Sequence, residues 1–134
     1  PCHNNPKTKH DGMRGNMKTK QQYQGDLSEQ LACEFLEKNG LKLITRNFHC
    51  CFGEIDLIMK DHDTLVFIEV RFRKSDNHGD AMATITKAKQ SKLIKTAQYF
   101  LNKHQEWQNF AYRFDAVASS DKQTTWLKNA FDSV

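Results

Sequence analysis

Apolar side chains recur at helical spacing in GDLSEQLACEFLEKNG, residues 25–40, where Leu27, Leu31, Ala32, Phe35 and Leu36 mark an amphipathic helix. Asp26 stands where an N-cap belongs, Glu29 follows three residues later as in a capping box, and Gly40 offers a terminator. The period then shortens to two. LKLITRNF alternates apolar and polar positions as a strand does, and GEIDLIMKDHDTLVFIEVRFR reads as two more strands joined around DHDT. A basic, glycine-containing loop, RKSDNHGDA, leads to a long helix from near Ala83 to Lys103, with Ile94, Ala97 and Leu101 on one stripe. YRFDAVASS, a turn at DKQ, and TTWLKNAF follow as two strands, or as a strand and a short tail. The order α-β-β-β-α-β-β predicts an α/β fold, a mixed sheet with helices packed on it.

Composition narrows the class. With 38% hydrophobic and 27% charged residues the chain has the make-up of a soluble globular protein, and no apolar run nears the roughly 18 to 20 residues of a membrane span. Residues 1–24 are polar and aperiodic, so they read as a disordered basic arm without the apolar middle of a secretory signal, leaving 25–134 as a single domain. The arm holds five Lys or Arg and one acid, while 25–134 holds 15 basic and 15 acidic side chains. That balance hides a local excess: Arg71, Arg73, Lys74, Lys87, Lys89, Lys92 and Lys95 face only Asp76 and Asp80 in the same stretch. Such a patch suits an anionic partner, nucleic acid above all; the plain alternative is a solvated helix face. Cys2, Cys33, Cys50 and Cys51 form no C-x-x-C pair, so reduced thiols in a cytoplasmic protein are expected in place of a zinc site.

The hairpin raises a chemical question, because Glu54, Asp56, Glu69 and Arg71 lie inside strands that are otherwise apolar. If the turn is centred between His62 and Asp63, Asp56 lies opposite Glu69 and Glu54 opposite Arg71. The face bearing Ile55, Leu57 and Met59 is apolar, and the carboxylate face also carries Ile58, Leu65 and Phe67. Like charges directly opposed across a ladder repel. A proton, a basic neighbour or a divalent cation would each relieve the pair, and the cation carries chemistry: magnesium takes one or two carboxylates and keeps water and phosphate in its other positions. Glu54, two residues from Asp56 on one strand, could supply a further ligand. The structural alternative pairs Glu54 with Arg71 and the other acids with lysines. Asp115 in YRFDAV is expected to pair locally with Arg113, and Trp107, Trp126 and Tyr99 to belong to the core or its rim.

An acid on the first helix, an acid at a strand end, then E-x-K on the next strand is the pattern of the PD-(D/E)XK nuclease superfamily, which the chain resembles. More closely, GDLSEQLACEFL, RNF, GEIDLIM, LVFIEVRFR, HGDA, KAKQSKLIKTAQYFL, RFDAV and NAF resemble the YraN family of uncharacterised bacterial proteins, over about residues 25–131. The resemblance implies a restriction endonuclease-like, three-layer fold and a Mg2+ or Mn2+ site. In it Asp56 and Glu69 would hold the metal, Glu29 would reach in from the first helix, and Glu54 would neighbour the metal. Arg71 takes the place of the superfamily's lysine; an arginine stays charged and cannot act as a base, though its fork could steady a phosphate. Lys89 is a second candidate for the missing ammonium. Arg73, Lys74, Lys92 and Lys95 would contact DNA phosphates without reading sequence. The implied function is a DNA endonuclease, sharpest as one acting on branched or damaged DNA, for which a homodimer is a candidate assembly. The alternative is a noncatalytic DNA-binding or assembly protein that keeps the fold.

Overall fold

A computed structural model describes residues 19–72, 85–120 and 123–132. Helix α1 spans Lys20–Lys38, strands β1, β2 and β3 span Lys42–Cys50, Gly53–Asp61 and Thr64–Phe72, and helix α2 spans Lys87–Lys103. A short 3-10 turn at Gln105–Trp107 leads to β4 (Ala111–Ser119) and β5 (Thr124–Phe131). TTWLKNAF is therefore a full strand, not a tail.

The strands lie in one sheet in the order β1-β2-β3-β4-β5. The first three form an antiparallel meander, α2 carries the chain over to β4 beside and parallel to β3, and β5 returns antiparallel. The helices cover opposite faces. Ala32, Cys33 and Leu36 of α1 pack with Leu57, Met59, Val66, Ile68 and Val117, whereas Leu93, Ala97 and Phe100 of α2 pack with Ile55, Ile58, Leu65, Phe67, Phe114 and Ala116. Both faces of β2 and β3 are thus buried, which is why their sequences read as near-continuous apolar runs. This layering of helix, mixed sheet and helix is the restriction endonuclease-like arrangement that the sequence implies. Among the described residues no helix is long and apolar enough to cross a membrane.

The start of α1 corrects the expected one. Thr19, not Asp26, is the N-cap: Thr19 Oγ1 accepts from the Gln22 backbone N–H at 3.0 Å and Gln22 Oε1 accepts from the Thr19 N–H at 3.0 Å. The capping box thus lies upstream, residues 20–24 are helical, and Glu29 is left free of capping duty. The C-terminus ends as expected: Leu41 N–H reaches Leu36 O at 3.1 Å and Gly40 N–H reaches Glu37 O at 3.0 Å, with Gly40 at φ 97°. That is a Schellman closure, and Leu41 buries against the helix it terminates. Helix α2 starts at Lys87, later than expected, where Thr86 Oγ1 accepts from Lys89 N–H at 3.2 Å.

Strand alternation holds along β3 but breaks in β2. Ile55 packs on the α2 side while Leu57 and Met59 pack on the α1 side, so Ile55 does not share their face as expected. A matching break lies across the ladder. Asn47 of β1 sits at φ 52°, between Arg46, paired with Leu57, and Phe48, paired with Ile55. A left-handed residue reverses which side the next side chain takes, and asparagine tolerates that conformation. Arg46 accordingly reaches Gln30 of α1 at 2.9 Å, whereas Phe48 packs against the α2 cluster.

Among the described residues Cys33 and Cys50 are free thiols, while Cys51 is disulfide-bonded. The expectation of reduced thiols fails at that position, where the side chain is exposed in the turn between β1 and β2.

Candidate functional site

The turn at His62-Asp63 sets the register of β2 against β3, and the expected centre is the observed one: Asp61 pairs with Thr64, and the described pairing runs down to Leu57 and Ile68. There the described ladder ends. Asp56 stands just past it and uses its side chain in place of a backbone partner, Oδ2 accepting from the Val70 N–H at 2.8 Å. Asp56 and Glu69 therefore meet where the two strands part, not as a ladder pair, and Glu54 and Arg71 are not a ladder pair either.

Three acidic side chains influence one another at this point. The Asp56 carboxyl is pushed up from 3.8 to about 7, first by burial and next by the Glu69 charge; Glu29 adds to the rise, while the Val70 N–H and Lys89 oppose it. Glu29 is also raised, chiefly by burial, against the pull of Arg46, and it shares a side-chain hydrogen bond with Asp56. Two carboxyls can share such a bond only if one keeps a proton. Glu69, with 8% of its surface exposed, is the most buried of the three. Its Oε2 lies 3.0 Å from Lys89 Nζ, the half-exposed end of a side chain from the first turn of α2.

Two backbone features allow this convergence. Gly53 opens β2 at φ 153°, and a Cβ there would lie 3.2 Å from Thr96 Oγ1, so its lack of a side chain lets α2 pack close to the strand. Asn47 contributes twice. Besides reversing the strand, its amide nitrogen, turned toward Glu29, donates to Oε1 at 3.0 Å and Oε2 at 3.3 Å. Sequence reasoning missed Asn47, although an asparagine inside an alternating strand segment was itself the available signal.

The remaining candidates are placed as follows. Arg71 is half-buried, two residues beyond Glu69 on β3 and opposite Ala118 of β4. Glu54 is exposed, opposite His49 across β1 and β2, and takes no part in the carboxyl interactions above. Lys92 and Lys95 are exposed on α2. Arg73 and Lys74 lie outside the described residues. Among the described residues no group of three His, Cys, Asp or Glu side chains is arranged to hold a metal, which leaves Asp56 and Glu69 as a two-carboxylate donor set.

Asp115 has the structural role expected of it. Fully buried, it accepts from Arg113 Nε at 2.9 Å and Nη2 at 3.1 Å, from Trp126 Nε1 at 2.9 Å and from the Asn129 N–H at 2.9 Å. Arg113 Nη2 continues to Asp61 Oδ2 at 3.0 Å, tying β4 to the far end of β2. With its oxygens so occupied, Asp115 has little left to offer a ligand.

The chain is similar to proteins of one family. The model of the uncharacterised protein family UPF0102 matches residues 28–118. A UPF0102 protein of Nitrosococcus oceani is 48% identical over 111 residues, covering 80% of this chain and 90% of its own. The UPF0102 protein NE0719 of Nitrosomonas europaea is 50% identical over 111 residues, with 81% and 92% covered. One from Legionella pneumophila is 46% identical over 114 residues, with 84% and 97% covered.

Proposed function

The chain belongs to the uncharacterised protein family UPF0102, and we propose that the Asp56 cluster of this member is the centre of a metal-dependent endonuclease that hydrolyses DNA phosphodiester bonds. The observation that carries this reading is the pair of crowded carboxyls, Asp56 raised to about 7 by burial and by Glu69, with the Lys89 ammonium 3.0 Å from Glu69. Crowded carboxylates are costly as a purely structural device and useful as hard oxygen donors.

Mg2+ or Mn2+ fits this donor set, since Asp56 and Glu69 supply two carboxylates from adjacent strands whose repulsion a divalent cation would relieve. Such an ion, when bound, supplies charge stabilisation at phosphate and a more acidic water. The chain's own groups do the rest. Lys89 neutralises Glu69 and presents a donor toward a phosphate oxygen, Glu29 accepts the hydrogen bond of the Asp56 carboxyl while that group keeps its proton, and Arg71 extends the positive charge along β3. Lys92 and Lys95, with Arg73 and Lys74, would grip the backbone of the duplex and account for salt-sensitive binding. Branched or damaged DNA is the sharper substrate class within this reading.

The test is cleavage of labelled single-stranded, duplex, flap and four-way-junction DNA with Mg2+ or Mn2+, beside Asp56→Asn and Lys89→Met proteins purified identically. Cleavage by the unaltered chain, lost by at least about a hundredfold in Asp56→Asn, is the expected result. Cleavage that survives in both variants would remove the site from consideration. One observation favours a noncatalytic DNA-binding protein instead: Lys89 already neutralises Glu69, so the pair is partly satisfied without metal. Salt-sensitive DNA binding with no Mg2+ uptake by calorimetry would establish that second reading.

A further inference from the structure

We infer that α1 pairs antiparallel with α1 of a second copy of this chain, about a two-fold axis through Leu27. Helix α1 buries Ser28, Ala32, Cys33 and Leu36 against the sheet. On its other side Tyr23, Leu27 and Leu31 are 67%, 44% and 49% exposed. Successive steps of four place these three in one stripe, so a core helix turns a row of large apolar groups to solvent. Lys20 and Glu34, both exposed, extend the same stripe by a step of three at either end.

The order Lys20, Tyr23, Leu27, Leu31, Glu34 selects the occupant. About an axis at Leu27, Leu27 meets its own copy, Tyr23 meets Leu31 of the second copy, and Lys20 meets Glu34 of the second copy. Gln24 likewise meets Gln30. Every position finds a complement at equal distance from the axis, which is the self-matching that a two-fold interface demands. Parallel pairing would instead oppose Lys20 to Lys20 and Glu34 to Glu34, so charge fixes the direction as well as the partner. The acid at one end makes the stripe a poor track for a nucleic-acid strand, whose phosphates it would repel. One helix face a side buries less than the roughly 1,200 Å² of a standard interface, so the dimer is reversible and depends on concentration. None of these residues belongs to the Asp56 cluster, and the inference stands whether or not that cluster cleaves DNA.

Sedimentation velocity of the full chain in low salt, from dilute solution to its solubility limit, tests the pairing. The expected result is a shift from monomer toward dimer with concentration. Leu27→Lys, which sets two ammoniums against each other at the axis, holds the protein monomeric throughout with an unchanged melting temperature. Lys20→Glu and Glu34→Lys each weaken association by roughly tenfold or more, and the double reversal restores it. A chain that stays monomeric to its solubility limit would overturn the inference. So would a dimer indifferent to Leu27→Lys, or a double reversal no tighter than the single ones.

Discussion

Asp56 accepts the Val70 N–H and shares a hydrogen bond with Glu29, and the enclosure that provides these partners also lifts its pKa from 3.8 to about 7. Between those two values the folded protein holds a proton that the unfolded chain has released, so raising the pH favours unfolding. The metal-free protein is therefore most stable with respect to this group below about pH 4. It loses that stability as pH rises to about 7, at up to about 1.4 kcal/mol per pH unit for one proton. Glu29, raised in the same direction, adds to the slope. Urea denaturation at a series of pH values is expected to give a falling midpoint for the unaltered chain and a much flatter one for Asp56→Asn. Equal slopes would mean that Asp56 titrates normally in the fold. The same residue gives metal binding the opposite sign, since a cation competes with the proton and would be held more tightly as pH rises.

At the level of elements, the contact between β2 and α2 is set by an absence. Gly53 lies 3.2 Å, measured from an added Cβ, from Thr96 Oγ1, and its φ of 153° is one that other residues resist. Gly53→Ala is expected to lower stability by about 1 to 3 kcal/mol, read as a drop in melting temperature. An unchanged melting temperature would show that α2 yields without strain. The elements themselves were largely legible because apolar period and turn chemistry are local: DHDT fixed the centre of the hairpin, and LVFI, by its unbroken apolar run, showed that β3 is covered on both faces. Two things escaped. The start of α1 lies in KQQYQ, a mostly polar turn whose helicity rests on the Thr19-Gln22 box and not on side chains packed in the core. The reversal at Asn47, opposite the place where Ile55 turns to the α2 side, does not show in a two-residue apolar period, and the asparagine itself is its one sign in the sequence. The site inherits the same division. Asp56 and Glu69 could be matched along the hairpin, but the hold of Asn47 on Glu29 joins groups 18 positions apart in sequence and belongs to packing.

Over the whole molecule, charge and burial are arranged by layer. Apart from the exposed Glu54, the sheet carries its acids at the parting of β2 and β3 and in the Asp61–Arg113–Asp115 chain, and α2 presents Lys89, Lys92 and Lys95 from one side. The central strand has a further property. TLVFIEV, residues 64–70, combines high β-propensity, almost continuous apolar character and a single charge, Glu69. Before α1 and α2 dock, both faces of that strand are bare, and such a segment is a template for stacking chain on chain. Glu69 interrupts it, acting as a gatekeeper during folding as well as a carboxylate in the folded site. Dilution of Glu69→Gln protein from urea is expected to scatter more light and return less soluble chain than the unaltered protein, whereas equal recovery would deny the acid that role. Sequence drift at Glu69 would then be restrained twice over, and a relative that had given up any chemistry would still have reason to keep the charge.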